Sequence, residues 1–439
     1  MKKLKYFYNY FITLSFIFLL GLLIPSITTY AKETKAPSII ADSAVIIDAD
    51  TGQIIYSKNA DKKYFPASTT KVMTALVVLE NSNLHDIVKI GKNPPFAEGS
   101  SIGLKEGEEF SVETLLTVLL LESGNDCAEA LAEHVAGSTE NFAKLMNKKA
   151  EEIGCKNTVF KNPSGLPNPD HVTTAYDLSL ILREAIKYDD FVRISSILTK
   201  KLPPSNLDKF ERYVNNHNYL INKASKYYYK YAIAGKTGYT DVARHTFTIA
   251  AKKDGRTLVG SFLKAEDKNK NFEDIAKLLD YSFDNSENIK IYSKGDIVEE
   301  IKLTNSNILP LVLENDFTYT KLKDGNEELS PKLKFDLPNN IKTKSLTKGE
   351  VITTASVLVN GTELGKVNIL SGKNRVYNPS VALQEFFLNN PVLAISIVIF
   401  ILIAILIIIR IVVIKRKNTL RKKRWRELTN KKKKSIFKR

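Results

Sequence analysis

The chain has 439 residues and a formal net charge of +16, from 64 Lys and Arg against 48 Asp and Glu. Most of that excess lies at the two ends, where residues 410–439 hold fifteen Lys or Arg and one acid, Glu427, so the central part is close to neutral and net charge gives no case for nucleic-acid binding. Two cysteines, Cys127 and Cys155, are too few for a disulfide framework, and the five histidines show no metal-ligand spacing. No metal and no cofactor is expected.

Residues 1–31 read as a secretory signal: Lys2, Lys3 and Lys5 precede an apolar run over 11–24, and Ala31 offers a small residue for cleavage. Residues 43–48 and 53–57 alternate as two strands around the turn Asp50-Thr51-Gly52. A helix is predicted from Ser68 to Leu79 with Val72, Leu76 and Leu79 on one face, and others over 112–121, 126–135, 139–153 and 174–187. Residues 162–170 hold three prolines and a glycine and must be irregular. Strands follow at 246–252 and 258–263, joined at Lys253-Asp254-Gly255, and helical spacing returns over 272–283. Helices between an early and a late hairpin imply an α+β domain, an antiparallel sheet with helices packed on it.

Three short strings in this domain carry side chains suited to chemistry. In Ser68-Thr69-Thr70-Lys71 the Ser and Lys share a helix face. Ser68 stands where an N-cap would, near unpaired N–H groups that favour an oxyanion. Lys71 serves as a base only when neutral, which requires burial or a nearby cation such as Lys236. Ser123-Gly124-Asn125 falls between two helices, where a hydroxyl can relay a proton and an amide can orient a peptide; the bland alternative is an Asn cap. Lys236-Thr237-Gly238 precedes the late hairpin, where a strand edge can pair with an extended peptide, Lys and Thr suit a terminal carboxylate, and Gly allows close approach of the substrate backbone. Each string taken singly is more often a cap, a surface Lys or a strand end; the case lies in their co-occurrence. Cys127 and Cys155 read best as small buried hydrophobes.

From about residue 288 the texture becomes all-β, with strand-like runs at 289–292, 298–303, 309–314, 332–336, 351–359 and 365–369. Residues 379–390 join this region to an uncharged run over 391–409, which with its continuation to 414 is long enough to cross a bilayer. The basic residues that follow mark the cytoplasmic side, and the tail can touch anionic lipid. The expected organisation is therefore signal 1–31, catalytic domain 32–285, β domain 286–378, linker 379–390, transmembrane helix 391–414 and cytoplasmic tail 415–439. The catalytic domain would lie outside the cell.

With Pro66-Ala67 before Ser68, the strings Asn162-Pro163-Ser164-Gly165-Leu166-Pro167 and Asn216-His217-Asn218-Tyr219, and Gly235-Lys236-Thr237-Gly238-Tyr239-Thr240, the chain resembles the low-molecular-mass penicillin-binding proteins, serine-type D-alanyl-D-alanine carboxypeptidases with a β-lactamase-like fold. The resemblance covers residues 38–285 strongly and the β domain weakly. It implies that Ser68 attacks the bond between the last two D-alanines of a peptidoglycan stem peptide and that Lys71 takes its proton. Ser123 then relays a proton to the leaving amine, Asn125 orients the substrate, and Lys236 and Thr237 hold the terminal carboxylate. The backbone N–H groups of Ser68 and Tyr239 form the oxyanion hole, and β-lactams acylate Ser68. Two departures stand out: a bilayer span where members often carry an amphipathic anchor, and Arg244 at the pocket rim where a small residue is expected. The alternatives are an endopeptidase on the same fold, a class A-like β-lactamase, against which Gly124 stands in place of an Asp, and an inactive wall-binding scaffold.

Overall fold

The computed structural model describes residues 35–304, 307–323 and 328–436, so the expected signal at 1–31 lies outside the described residues. Two compact units emerge, one of the described residues up to Ile289 with 319–323, the other of the remainder.

The first unit is built on a five-stranded antiparallel sheet. In chain order its strands are β1 (Ser43–Asp48) and β2 (Ile54–Lys58), then, after two short ribbons, β7 (Ala232–Thr240), β8 (Arg244–Lys253) and β9 (Arg256–Ala265). The ribbons are β3 (Ile87–Lys89) with β4 (Glu109–Ser111), and β5 (Thr199–Lys201) with β6 (Tyr213–Asn215). The sheet order is β2-β1-β9-β8-β7, with β7 at an edge. β1 is buried along its whole length because both faces are covered. Val45 and Ile47 point into one apolar cluster; Ala44 and Ile46 point into another.

The larger cluster is helical. It gathers α1 (Lys71–Asn81), α2 (Val112–Leu121), α3 (Asn125–Ala136), α4 (Thr139–Ile153), α5 (Ala175–Ala185) and α6 (Asp189–Ser195). The smaller holds α7 (Lys268–Asp284), whose Phe272, Ile275, Leu278, Leu279 and Phe283 recur at helical spacing on one face. The unit is therefore three layers deep, helices on both sides of the sheet. α1 runs through the centre and buries Lys71 through Val78 without a break.

Its start differs from the sequence reading. Residues Ala67–Thr70 form a 3₁₀ turn, and the α-helix begins at Lys71. Ser68 therefore caps nothing: no side-chain cap bond is made at either N-cap. The late hairpin turns at Asp254 (φ +51°) and Gly255 (φ +83°), two positive values in succession as a tight hairpin turn requires. Cys127 and Cys155 are unpaired thiols; Cys127 is buried and Cys155 half-buried, and burial raises both above the usual thiol range.

The second unit carries a sheet of order β11-β12-β16-β15-β14, whose core is Leu309, Leu311, Leu313, Ala355, Val357 and Ile369. Its strands β11 (Ile297–Thr304), β12 (Asn307–Leu313), β14 (Pro331–Lys334), β15 (Val351–Val359) and β16 (Thr362–Ser371) overlap the predicted runs; β10 (Ser286–Tyr292) overlaps the run at 289–292 and β13 (Phe317–Leu322) was not legible, and neither belongs to this sheet. The linker is helical, as α8 (Pro379–Asn389), opened by Asn378 accepting from the Ser380 N–H at 3.0 Å. α9 (Pro391–Ile436) contains the apolar run, with a mean hydropathy of 3.7 and none of it buried, and continues as helix into the basic tail.

One buried carboxylate ties the first unit together. Asp48 accepts from the N–H groups of Asp50 (2.9 Å) and Thr51 (3.0 Å), from Arg256 Nε (2.7 Å) and from Asn288 Nδ2 (3.0 Å). Removing one partner of a buried ion pair strands the other, so Asp48→Ala is expected to lower the unfolding free energy by about 3–5 kcal/mol. Thermal unfolding checks this; a melting temperature within a degree or so of the wild type would contradict it.

Candidate active site

The 3₁₀ turn is held from below. Thr69 Oγ1 (2.6 Å) and Thr246 Oγ1 (2.8 Å) both donate to the Pro66 carbonyl, fixing the turn to β8. Gly238 packs against its amides: a Cβ there would lie 2.8 Å from Ser68 N, 3.0 Å from Thr69 N and 2.5 Å from Thr246 Oγ1. A side chain at Gly238 would therefore displace the turn that carries Ser68, while the residue also lines the cavity. Ser68 is half-buried and opens on a cavity of about 270 Å³.

Lys71 is fully buried, and its Nζ has three neighbours: Asn125 Oδ1 at 2.7 Å, the Ser164 carbonyl at 2.7 Å and Ser68 Oγ at 3.1 Å. The first two only accept. The amide orientation of Asn125 is fixed by its other end, since the Glu98 carbonyl (2.5 Å) needs an N–H and receives Nδ2. A neutral amine has two hydrogens and one lone pair. With both hydrogens given to carbonyl oxygens, the lone pair is left for the Ser68 hydroxyl to donate to. Burial, then the charge of Lys236, hold Lys71 well below the usual lysine range.

The Ser164 carbonyl arrives on the irregular loop. Asn162 Oδ1 accepts from the Gly165 N–H (2.7 Å) and Asn162 Nδ2 donates to the Leu166 carbonyl (3.0 Å), closing the loop. Gly165 has φ +88°, and a Cβ on it would lie 1.9 Å from the Ala67 carbonyl oxygen. Thr74 Oγ1 donates to the Pro163 carbonyl (2.6 Å). His171 Nδ1 accepts from the Lys161 N–H (3.3 Å), so its Nε2–H donates to Thr70 Oγ1 (3.0 Å); burial lowers this imidazole to about 4.

Ser123 has φ +69°, a conformation that costs a residue with a Cβ about 1 kcal/mol or more. Its Oγ is sealed from solvent and has no hydrogen-bond partner among the described residues. Gly124 is the cap residue of α3, and a Cβ on it would meet Asp126 Oδ1 at 2.8 Å and Val118 Cγ1 at 3.0 Å, so an Asp cannot stand there without rearrangement. Asn125 is the first helical residue rather than the cap. Asp126 Oδ2 takes Ser101 Oγ (2.7 Å) and the Ile102 N–H (3.0 Å), drawing the loop that carries Ser100 to the cavity.

Lys236, Thr237, Gly238 and Tyr239 lie within β7, the edge strand that precedes the late hairpin of β8 and β9, and all four line the cavity. Lys236 is 2% exposed and donates to the Thr237 carbonyl at 2.9 Å. Burial lowers its ammonium to about 7, with Glu122 pulling the other way. Tyr239 is exposed and its ring stacks near His245, 4.6 Å between centroids. Arg244 does not line the cavity: it turns to Glu266, Nε to Oε2 3.2 Å. Ser68, Ser123, Lys236, Thr237, Gly238 and Tyr239 meet around one space, and Lys71 and Asn125 sit in contact beneath it. Among the residues given no role by the sequence reading are Ser164, Thr246, His217, Lys268, Asn271 and Phe272; the first and His217 fall within strings noted there.

A family model described as D-alanyl-D-alanine carboxypeptidase matches residues 30–267, and one described as the penicillin-binding protein 5 C-terminal domain matches residues 287–377. A D-alanyl-D-alanine carboxypeptidase of Bacillus subtilis is 34% identical over 277 residues, covering 62% of this chain and 69% of that protein. Another, of Mycobacterium tuberculosis, is 36% identical over 231 residues, covering 52% and 76%. The structure of penicillin binding protein 5 from Haemophilus influenzae superposes with a TM-score of 0.64 at 26% identity, covering 78% of this chain and 99% of that one. The first model alone takes in more than half of the chain, which is therefore a member of the D-alanyl-D-alanine carboxypeptidase family, serine peptidases that act through an acyl-enzyme.

Proposed function

We propose that Ser68 is the nucleophile, that Lys71 is its base, and that the substrate is a peptidoglycan stem peptide ending in D-Ala-D-Ala. The observation that carries this is the Lys71 amine, 3.1 Å from Ser68 Oγ with its other two contacts both carbonyl oxygens. Ser68 Oγ attacks the penultimate D-alanine carbonyl while its proton passes to Lys71 Nζ. The oxyanion takes the N–H groups of Ser68 and Tyr239. The C–N bond breaks as Ser123, whose hydroxyl has no protein partner, carries a proton to the leaving amine. Water releases the acyl group from Ser68. Lys236 and Thr237 hold the terminal carboxylate, and the second Nδ2 hydrogen of Asn125 is available to the substrate backbone. A β-lactam follows the first half of the same course and stays on Ser68.

The apolar helix supports a membrane anchor. We assign residues 391–414 to the span, with the basic tail on the cytoplasmic side and the catalytic unit facing the cell wall.

Ser68→Ala is expected to abolish both D-alanine release and labelling by a fluorescent penicillin; an adduct on this variant would overturn the nucleophile. If the wild type releases no D-alanine from pentapeptide yet cuts cross-linked dimers, the endopeptidase reading takes its place.

The pH profile has a definite sign. Lys71 must be neutral, so the rate rises as pH climbs through its depressed value; Lys236 must be charged, so kcat/KM falls as pH rises through about 7. A bound carboxylate favours the Lys236 ammonium, and the falling limb of kcat is expected at higher pH than that of kcat/KM. Steady-state kinetics check this. A kcat/KM that keeps rising into the ordinary lysine range would contradict it.

A further inference from the structure

The residues lining the cavity include no carboxylate, yet Lys236, Lys268, His217 and His245 all face it. Three of these are accounted for. Lys236 donates to the Thr237 carbonyl, His217 Nε2 lies 3.5 Å from Glu122 Oε1, and His245 stacks on Tyr239. Lys268 has no carboxylate within ion-pair distance among the described residues. The two acids beside it are engaged elsewhere: Glu266 with Arg244, and Asp267 as the cap of α7, accepting from the Lys270 N–H at 2.8 Å. The Lys268 ammonium instead rests on the face of Tyr219, 4.6 Å from the ring centroid, and Tyr219 packs on Phe272 with centroids 5.5 Å apart. It is thus a positioned cation, half-buried at the cavity, and its charge is felt by both His217 and His245, whose imidazoles it helps to lower.

Asn271 stands three residues on, on the same face of α7. It is 4% exposed, lines the cavity, and its buried Oδ1 has no hydrogen-bond partner among the described residues. A buried amide oxygen left unpaired is costly, and a ligand that engages the amide recovers that cost. No protein bond fixes the orientation of this amide, so it can turn its NH₂ onto an anion.

We propose that Lys268, supported by Asn271, is a specificity-determining residue of this reaction: its ammonium is a second cation, beside Lys236, for the substrate's terminal carboxylate. The proposal rests on the assignment of Lys236 and Thr237 to that carboxylate. The physical need is that Lys236 is buried and loses charge near neutral pH, whereas a half-exposed ammonium keeps the cavity positive before substrate arrives.

The test compares two substrates on the full chain in detergent: an N-acylated peptide ending in D-Ala-D-Ala, and the same peptide as its C-terminal carboxamide. The wild type is expected to prefer the free acid strongly. Lys268→Ala is expected to lower kcat/KM for the free acid about tenfold, the loss of one charge-assisted contact, and to leave the carboxamide unchanged, so that the preference shrinks by the same factor. Lys268→Arg restores it, and Asn271→Ala moves it in the same direction by less. If Lys268→Ala lowers both substrates in proportion, its role is structural and the proposal is overturned; if the preference stays at the wild-type value, it is overturned equally. A wild type that does not distinguish acid from carboxamide would fail earlier, at the carboxylate assignment itself, whatever Lys268 does.

Discussion

A fully buried lysine amine, held at 2.7 Å by each of two carbonyl oxygens, is the constraint on which the catalytic unit depends. Each oxygen comes from a different part of the chain, the Asn125 side chain at the head of α3 and the Ser164 backbone on the 162–170 loop. Both must be in place for the lone pair of Lys71 to face Ser68. Burial disfavours the ammonium, and the nearby Lys236 disfavours it further. The two oxygens are not strong enough counter-charges to reverse this, because neither is a carboxylate.

Much of the surrounding architecture serves to bring backbones closer than side chains would allow. Gly165 against Ala67, and Gly238 against Ser68 and Thr69, are two such approaches, one from the loop and one from β7. They clamp the turn that carries Ser68 between the helical layer and the sheet. The turn itself carries the strain: Ala67 has φ +50° and Ser123, across the cavity, has φ +69°. Strained residues of this kind persist only where the surroundings over-determine them. Here the Pro66 carbonyl, gripped by two threonine hydroxyls, supplies part of that restraint.

The elements that were legible in the sequence had strong local signals. The apolar run of α1, the paired positive-φ turn at Asp254-Gly255 and the long apolar helix at 391 onward each announce themselves by pattern. The 3₁₀ start of α1 did not, because Ser68 looks like a cap and only the tertiary contact with Gly238 and Thr246 pulls the chain tighter. The ribbons β3–β4 and β5–β6 are three residues per strand, too short for any alternation to register. At the site, Ser68, Lys71, Ser123, Asn125, Lys236 and Thr237 stood in recognisable strings. Ser164 contributes a backbone oxygen, which no residue type encodes. Lys268 and Asn271 reach the cavity only because α7 packs Phe272 onto the sheet beside β7. Gly238 carries a constraint that the sequence did not announce: its missing side chain accommodates the amides of Ser68 and Thr69.

The protonation state of one amine governs this chemistry and can be read directly. Nitrogen-15 NMR of the Lys71 side chain in the full-length protein, followed across pH, distinguishes the neutral amine from the ammonium. The ammonium is expected to give way to the neutral amine well below the ordinary lysine value in the free protein. A Lys71 that keeps its charge up to the ordinary lysine value of 10.5 would contradict it.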